Sequence, residues 1–456
     1  MAPAIRIHAA RWLGPDGEWR EGAILLDRGR LTCRPGRPTL PGDGPIVDGR
    51  DRLILPGLFD PHVHFRQPGR AAVEGIARGS QAALAGGVTD LLEMPNTRPP
   101  TSTPARLRAK AEWFRRHAAT AWGLFGLANG RWPEEPSGTA VPGRGWPGHA
   151  PTTPELAAFV ATKVFMARSG ACPAVTAVDQ LARLFARFPL LAIHAEDETA
   201  FPPAASGLAH DEARPRLAIL EALRKIDAAL HQVRAAGHPP PRLVLLHLST
   251  REEVAWVERM KDAGWDIRAE TCFHYLFFTA TTERERGPRY RVNPPLRDEA
   301  DRQALRDAVR RGVIDFLASD HAPHPPAEKA RPQGAPSGMP GVEWFLPLLA
   351  RLVEEGLLTW AQAIRVGVTN AAAAYGRPRA GRLADGEPAD LLLIRRTDPA
   401  EPLPTPITGA GYDPYGDLAR PWQVEMVFRA GRPVFSRPAP DRPAPPTLHP
   451  FQQGCA

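Results

Sequence analysis

The sequence has few cysteines, and they are not arranged to hold a fold together. The four residues, Cys33, Cys172, Cys272 and Cys455, lie far apart and form no C-x-x-C pair. This spacing excludes a zinc ribbon or a disulfide framework as the basis of the structure. Unpaired cysteines are typical of a reducing compartment, so we expect a cytoplasmic protein.

Long apolar runs and runs of one charge are also missing. No segment approaches the roughly 20 apolar residues that cross a membrane. The opening residues MAPAIRIHAARWLGPDG contain no apolar core of signal-peptide length. The formal net charge is +7, but the basic residues are interleaved with acidic ones and do not cluster. We therefore expect neither a membrane nor a nucleic acid as a partner.

Lysine is scarce, because only five of the 57 basic residues are lysines. Each lysine therefore carries more information than it would in an average chain. By contrast, 43% of the 456 residues are apolar, which is enough for one large domain and a smaller one.

Both ends of the chain have strand-and-turn character. In residues 1–56 the segments AIRIHAARWL, GAILLDRGRLTC and PIVDGRDRLILPG are each bounded by Gly, Pro or Asp. Residues 377–436 return to this pattern in GRLADGEPADLLLIRR. We predict that the two segments form one small β-sandwich, followed by a Pro-rich tail over residues 437–456.

Between these ends, residues 57–376 alternate short apolar runs with Ala- and Arg-rich helical stretches. The pattern predicts an α/β fold, a (β/α)₈ TIM-like barrel. Each of the eight runs has a His, Asn, Asp or Lys within or just beyond the run, and the end of such runs is where these barrels build active sites. The runs are LFDPHVH, TDLLEMPN, AWGLFGLAN, TKVFMA, LLAIHAE, LVLLHLS, IRAETCFHY and IDFLASDH.

The first run ends in DPHVHFRQPG, which contains two histidines one residue apart. Residues i and i+2 of a strand point to the same side, so His62 and His64 could bind one metal ion. Taken alone, the pair is equally well explained as two polar residues at the end of a strand.

Three later runs end in His194, His247 and Asp320, and a fourth contains Lys163. Each of these, considered singly, could be a hydrogen-bonded core residue or, for Lys163, a paired lysine. Together at the strand ends of one barrel they favour a metal site, because an unpaired buried polar group is costly. A desolvated lysine also has a lowered pKa, so its neutral amine could add carbon dioxide and bridge two cations as a carbamate.

These motifs resemble the amidohydrolase superfamily of metal-dependent hydrolases, and within it the dihydroorotase family of the long bacterial type. The resemblance covers most of the chain, from Gly57 to about Trp344, with weaker matches at TNAAAAYG and GRLADGEPADLLLI. The matching stretches are GLFDPHVHFRQPG, AGGVTDLLEMPNTRPPT, KVFMARSG, AIHAEDE, LHLST, FHYLFF, NPPLR, IDFLASDHAPH, EK and SGMPGVEW.

The resemblance implies two divalent metal ions, with Zn²⁺ as the expected metal. His62, His64 and Asp320 would bind one ion, and His194 and His247 the other. Lys163, as an N6-carboxylated lysine, and a hydroxide would bridge the two. KVFMARSG contains no aspartate that could replace the lysine as the bridge.

The resemblance also implies a substrate site. Arg66 would bind a substrate carboxylate, because a planar guanidinium matches a carboxylate with two hydrogen bonds. The other expected contacts are His64, Asn96, Asn293, His324 and Gly338. A surface ion pair for Arg66 and turn positions for Asn96 and Gly338 remain open alternatives. Asp60 is expected either to support the metal ligands or to cap a turn.

The implied activity is the reversible cyclisation of N-carbamoyl-L-aspartate to L-dihydroorotate and water, a step in the synthesis of UMP. In the family mechanism a metal-bridging hydroxide attacks the ring and Asp320 is the general acid and base. An allantoinase or hydantoinase is one alternative, and a non-catalytic subunit that supports a transcarbamoylase is another. A homodimer is compatible with the sequence.

Three features depart from the family pattern. Tyr275 stands where relatives often have a second histidine, and ARSGACPAV replaces a Gly- and Asn-rich loop. The composition of the Pro- and Trp-rich stretch over residues 130–154 predicts a long loop. These departures concern the edge of the predicted pocket and leave the predicted ligand set intact.

Overall fold

The computed structural model of the chain describes residues 3–128, 159–203, 207–331, 334–377 and 381–437. The loop predicted at residues 130–154 and the predicted tail from residue 438 onward lie outside these ranges. Within them, the strands form two sheets of eight strands each. None of the helices in the described ranges is long and apolar enough to span a membrane.

Five strands precede the barrel. They are β1 (Ile5–Leu13), β2 (Trp19–Asp27), β3 (Arg30–Pro35), β4 (Ile46–Asp48) and β5 (Arg52–Pro56). The first three form an antiparallel meander, and β1 also pairs in parallel with β4 and β5. Ile7, Ala10 and Trp12 of β1 are buried, so one face of this sheet is apolar.

The next eight strands confirm the barrel prediction, because each overlaps one of the eight apolar runs. They pair in parallel with their neighbours in chain order. The strands are β6 (Leu58–Val63), β7 (Val88–Glu93), β8 (Ala121–Leu127), β9 (Phe159–Phe165), β10 (Leu190–His194), β11 (Arg242–Leu245), β12 (Ile267–Cys272) and β13 (Phe316–Ala318).

The barrel closes between its first and last strands at the end that carries the predicted ligands. Val63 forms a parallel bridge with His321, and His64 N–H donates to the His321 carbonyl at 2.8 Å. The fully buried Asp60 carboxylate accepts the backbone N–H groups of His62 and Ser319, both at 3.2 Å. Asp60 thus ties β6 to the segment that follows β13.

Helices connect the strands and cover the outside of the barrel. The described helices are α1 (Ile76–Ala85), α2 (Pro104–His117), α3 (Val178–Arg187), α4 (His210–Ala213), α5 (Arg216–Ala235), α6 (Arg251–Asp262), α7 (Phe273–Phe277), α8 (Ala280–Arg286), α9 (Glu299–Arg311), α10 (Pro326–Lys329), α11 (Phe345–Glu354), α12 (Trp360–Ile364) and α13 (Asn370–Ala374). A π-helical turn, Arg365–Thr369, joins the last two, and short 3₁₀ turns occur at Glu198–Ala200, Pro288–Tyr290 and Val342–Trp344.

Helix α6 shows how local sequence shapes the loop after a site residue. The Thr250 hydroxyl accepts the N–H of Glu253, and the Glu253 carboxylate accepts the N–H groups of Ser249 and Thr250 at 2.8 and 2.9 Å. This reciprocal capping box satisfies backbone donors that the first turn of a helix leaves unpaired. The chain therefore turns sharply just after His247.

The C-terminal strands complete the sheet begun at the N-terminus. They are β14 (Leu391–Arg396), β15 (Trp422–Arg429) and β16 (Arg432–Ser436). Because β14 pairs with β5, the order of the main path is β16-β15-β14-β5-β1-β2-β3. Leu31 of β3 and Phe428 of β15 share one apolar cluster, so this mixed sheet curves around a core of its own. The predicted β module from both chain ends is confirmed, as one curved sheet.

Replacing Ile54 by Ala is expected to lower the free energy of unfolding by about 2 to 5 kcal/mol. Ile54 is fully buried in the core of the mixed sheet, so the change would leave a cavity. Ile46→Ala in the same sheet is the matched control, because Ile46 is 57% exposed, and its effect should stay below about 1 kcal/mol. Urea denaturation followed by circular dichroism measures both; equal losses would contradict a separate core at Ile54.

Candidate metal centre and substrate pocket

A cavity of about 360 Å³ opens at the carboxyl ends of the barrel strands. All the predicted metal ligands and substrate contacts line it. The predicted residues at its wall are His62, His64, Arg66, Asn96, Lys163, His194, His247, Asn293, Asp320, His324 and Gly338. Residues that lie far apart in the sequence therefore meet in one place, as the strand-end pattern predicts.

Three of the predicted ligands form the first group. The Asp320 Oδ1 atom lies 3.3 Å from His62 Nε2 and 3.1 Å from His64 Nε2. One ligand atom from each of the three residues lies within 4.8 Å of the others. All three side chains are buried, so the group offers two imidazole nitrogens and a carboxylate to a single ion.

His194 and His247 form the second group. His194 Nδ1 and His247 Nε2 lie 3.0 Å apart, and the two rings meet edge to face at 4.7 Å. Zinc binds imidazole nitrogen at about 2.0 to 2.1 Å, so two nitrogens this close can share one ion. The rings of His62 and His247 are 5.5 Å apart, which places the two groups side by side.

Lys163 lies on β9 at the wall shared by both groups, and its side chain is 1% exposed. Its Nζ is 4.8 Å from the centre of the Phe165 ring. Across the described ranges, no carboxylate lies within ion-pair distance of this amine. Burial lowers the pKa of Lys163 to about 8, although Glu270 and Asp320 oppose the shift. A substantial fraction of the amine is therefore neutral near physiological pH.

Polar partners orient three of the four imidazoles. His62 Nδ1 donates to Glu270 Oε1 at 2.7 Å, His64 Nδ1 to Asn96 Oδ1 at 2.7 Å, and His194 Nε2 to Glu196 Oε2 at 2.9 Å. We assign the tautomers from these contacts. Each assignment leaves the other nitrogen, which points into the cavity, with a free lone pair.

The charge states also suit metal binding. Burial lowers the pKa of His62 to about 3 and that of His64 to about 4, so both rings are neutral ligands. Burial opposes ionisation of Asp320 as well, yet the positive charge that His62 and His64 carry when protonated at low pH holds the pKa of its carboxyl well below the usual range. The donor set of neutral imidazoles, an ionised carboxylate and a partly neutral amine fits a pair of divalent cations.

A second group of possible ligands shares Asp320 and adds Cys272 and His274. Burial raises the pKa of the Cys272 thiol well above its usual range. Because cysteine binds metals as a thiolate, this group is the poorer metal site of the two.

The backbone is strained at three site residues. Arg66, His247 and Asp320 have φ values of 62°, 42° and 43°, in the left-handed region that residues other than glycine rarely adopt. Each such residue costs about 1 to 3 kcal/mol and persists only where the surrounding structure holds it. At His247 the backbone N–H donates to Glu270 Oε1 at 3.3 Å, so Glu270 supports both this turn and the His62 ring.

Arg66 is held on one side of the cavity. Its Nε donates to the Pro323 carbonyl at 3.3 Å and one terminal nitrogen donates to His324 Nε2 at 3.1 Å. His324 in turn donates from Nδ1 to Glu328 Oε2 at 3.3 Å. The predicted alternative of a surface ion pair is not what the structure shows, because Arg66 lies at the cavity wall with no carboxylate partner in the described ranges.

The remaining predicted contacts are also anchored. Asn96 donates from its amide to Ser169 Oγ at 3.1 Å, and Asn293 Oδ1 accepts from His210 Nε2 at 3.0 Å. Gly338 has φ of 123°, and a Cβ there would lie 2.6 Å from the Ala322 carbonyl oxygen. Glycine is therefore required at this position both by the turn and by the close contact.

Several functional neighbours were missed in the sequence. Glu270 and Glu196 orient His62 and His194, and Arg214 donates to Glu196 at 2.6 Å. The signal for both acids was present, because IRAETC and AIHAED place a glutamate directly in or after an apolar strand. Tyr275, noted as a departure, is buried and donates to the Pro294 carbonyl at 2.6 Å, so it supports the segment next to Asn293.

Replacing Glu270 by Ala is expected to weaken metal binding about 10- to 100-fold, because His62 loses the acceptor that orients its ring. Competition against a chelator of known affinity measures the change. Glu21→Ala on β2 is the control, since the Glu21 side chain is 80% exposed, and it should bind metal like the wild type. Wild-type affinity in Glu270→Ala would contradict the role assigned to Glu270.

Comparison with known proteins identifies the family of the chain. The sequence profile of the amidohydrolase family matches residues 53–140 and 246–434. A dihydroorotase of Halobacterium salinarum is 34% identical over 83% of this chain and 87% of its own length, and one of Bacillus caldolyticus is 32% identical over 92% and 96%. An allantoinase of Bacillus velezensis is 29% identical over 90% of each chain.

Solved structures agree on the fold. An L-hydantoinase (dihydropyrimidinase) from Arthrobacter aurescens superimposes with a TM-score of 0.79, covers 95% of this chain and 96% of its own, and is 24% identical. At 24% identity this similarity supports the fold of the barrel and mixed sheet, and it carries no conclusion about the substrate. On the family match and the dihydroorotase relatives, the chain belongs to the amidohydrolase family and is a hydrolase that acts on cyclic amide bonds.

Proposed function

We propose that the protein is a dihydroorotase, which hydrolyses the ring amide of L-dihydroorotate and, in the direction of pyrimidine synthesis, closes N-carbamoyl-L-aspartate. The observation that carries the proposal is Arg66. This arginine faces a cavity with two groups of metal ligands and is held in place by Pro323 and His324. A carboxylated substrate supplies the anion that the guanidinium lacks.

The charge of the cavity supports an anionic substrate. Arg66, Arg98 and Arg168 line it, and none of the three is paired with a carboxylate of the described residues. Asp320 is the one carboxylate among the described residues at the cavity wall. Dihydroorotate carries one carboxylate and carbamoyl-aspartate two, so a cavity with surplus positive charge attracts both. A neutral hydantoin or allantoin ring gains nothing from these arginines.

The proposed cofactor is a pair of divalent cations, with zinc as the expected metal, bridged by a carboxylated Lys163. The neutral Lys163 amine would add to carbon dioxide, forming an N–C bond and releasing one proton. The resulting carbamate has two oxygens, which would serve one ion each. The burial and lowered pKa of Lys163, and the lack of a described acidic partner, support this modification.

When bound, the cations would polarise the ring carbonyl and lower the pKa of the attacking water. Arg66 and Asn96 hold the substrate so that its ring amide faces the histidines. Asp320 accepts the proton that the attacking water loses and delivers it to the ring nitrogen as the C–N bond breaks. The low pKa of Asp320 keeps it in the basic form that the first of these proton transfers requires. The same contacts serve ring closure in reverse.

The proposal includes a cytoplasmic location and a small-molecule substrate as the main partner. Cys33, Cys172 and Cys272 are free thiols, as expected in a reducing compartment. The alternative of a non-catalytic supporting subunit is less consistent with the site, because all six predicted metal ligands meet at the cavity.

The direct test is an ultraviolet assay of the metal-loaded protein with dihydroorotate, allantoin and dihydrouracil. We expect turnover of dihydroorotate and little of the two neutral rings. Turnover of a neutral ring without dihydroorotate would favour the allantoinase or hydantoinase alternative. A correctly folded protein that binds no metal and turns over none of the three would favour the supporting subunit.

Replacing Arg66 by Gln is expected to lower kcat/KM for dihydroorotate about 30- to 1000-fold, since losing a charge-assisted carboxylate contact costs roughly 2 to 4 kcal/mol. The loss should appear mainly in KM, with metal content unchanged. Arg310→Gln is the control, because Arg310 pairs with Asp307 on the exposed face of α9. If Arg66→Gln left kcat/KM unchanged, the assignment of Arg66 to the substrate carboxylate would be wrong.

Replacing Lys163 by Ala is expected to abolish activity, because the carbamate bridge is lost. Short carboxylic acids such as acetate or propionate should restore part of the activity by occupying the space of the carbamate. His247→Ala is the control, since it lacks a nitrogen ligand and the same acids should not restore it. Full activity of Lys163→Ala without added acid would overturn the carboxylated lysine.

A further inference from the structure

Lys329 has an unusual environment beside the cavity. It ends the one-turn helix α10 and its side chain is 2% exposed. Its ammonium donates to three backbone carbonyls, those of Arg291 at 3.0 Å, Pro336 at 2.9 Å and Gly338 at 2.8 Å. Lys329 has no carboxylate within ion-pair distance in the described ranges and does not line the cavity.

The three carbonyls belong to two segments that build one wall of the cavity. Pro336, Ser337 and Gly338 line the cavity directly, and Arg291 lies two residues before Asn293, which also lines it. The Arg291 carbonyl accepts a second hydrogen bond, from Gly338 N–H at 2.8 Å. Lys329 and this backbone contact thus join the segment around Asn293 to the segment around Gly338.

The contacts use the full donor capacity of an ammonium group. Three carbonyl acceptors require three N–H donors, which only the protonated lysine supplies. Burial lowers the pKa of Lys329 to about 7; Glu283 favours the charged form, and Arg291 and Arg66 oppose it. Burying such a cation costs stability, and a neutral side chain of similar length would fill the same volume. The presence of a lysine at this position is therefore better explained by its hydrogen bonds to the three backbone carbonyls than by packing.

The adjacent residue, Glu328, holds another part of the cavity wall. Glu328 accepts from His324 Nδ1 at 3.3 Å and from Arg70, and His324 accepts from Arg66. The two neighbouring residues of α10 therefore hold two adjoining parts of the cavity wall, which meet where His324 Nε2 lies 3.1 Å from the Ser337 carbonyl oxygen. Glu328 sets the orientation of His324 and Arg66, while Lys329 sets the backbone that faces them.

We propose that Lys329 is a positioning residue that assembles the wall of the substrate-carboxylate site by clamping the segments around Asn293 and Gly338 together. The inference rests on the proposed function, because it assigns that wall to the carboxylate of dihydroorotate. Lys329 does not touch the substrate or the metal ligands. Its loss should therefore weaken substrate binding more than the chemical step.

The test is steady-state kinetics of the metal-loaded Lys329→Met, Lys329→Gln and Lys329→Arg variants with dihydroorotate. Met keeps the length and loses every donor, Gln keeps two N–H donors, and Arg keeps the charge and several donors. We expect KM to rise about 10- to 100-fold in Lys329→Met and by a smaller factor in Lys329→Gln. In both, kcat should stay within about 3-fold and the metal content should not change. The KM of Lys329→Arg should lie between those of the wild type and Lys329→Met.

Lys261→Met is the matched control. Lys261 is also a partly buried lysine that donates to a carbonyl, that of Val313 at 2.8 Å, and it pairs with Asp315 at 2.6 Å. These contacts lie at the amino end of β13, on the opposite side of the barrel from the cavity. Lys261→Met should lower the stability and leave KM unchanged, which separates a positioning role from a general loss of stability.

The outcomes separate the two proposals. If the wild type turns over dihydroorotate and KM is unchanged in Lys329→Met, the positioning role is wrong and the proposed function stands. A fall in kcat with unchanged KM would also overturn the role. If Lys329→Met does not fold, Lys329→Gln decides: an unchanged KM in that variant overturns the role. A wild type without dihydroorotate turnover overturns the proposed function and this inference with it.

Discussion

Burial of polar side chains at the carboxyl ends of the barrel strands is the constraint on which the site depends. His62, His64 and His194 are each at most 8% exposed. The nitrogen atoms of each ring must therefore find their hydrogen-bond partners inside the protein. Each uses one ring nitrogen for a fixed partner, which leaves the other directed at the cavity. The geometry of the candidate metal site follows from this division of each ring, since the partners outside the cavity set which nitrogen is available to an ion.

The lysines of the chain illustrate why one basic residue is not interchangeable with another. In an arginine-rich protein the five lysines occupy buried or partly buried positions: Lys110, Lys163, Lys225, Lys261 and Lys329. Lys110 donates to the Met94 carbonyl and pairs with Glu93, which in turn accepts the N–H of Phe65. A compact ammonium with three donors suits such sites better than a larger planar guanidinium does. Lys163 differs from the other four in having no described acceptor for its amine, which is the environment a carbamate would need.

The barrel and the predicted metal-ligand residues could be predicted from the sequence because both depend on local patterns. Each apolar run marks a strand, and parallel strands that follow one another must place their carboxyl ends on one side of the sheet. The histidines, Lys163 and Asp320 could therefore be assigned to one site before any distance was known. Arg66 was predicted on the family resemblance, and its hydrogen bonds to Pro323 and His324 were not predictable, since those residues lie more than 250 positions away.

Chain order and strand periodicity thus specify the barrel, the end of it that carries the candidate site, and the residue types of the candidate metal centre. They do not specify which polar groups form hydrogen bonds with each other. The pairing of Glu270 with His62, the tie from Asp60 to Ser319 and the clamp by Lys329 each join segments that are remote in sequence or in different loops. Such contacts arise only when the closed barrel brings the segments within hydrogen-bond distance, because a hydrogen bond depends on position and direction to within a fraction of an ångström. The curvature of the mixed sheet also depends on segments that are remote in sequence, because strands from both chain ends pack around a shared core.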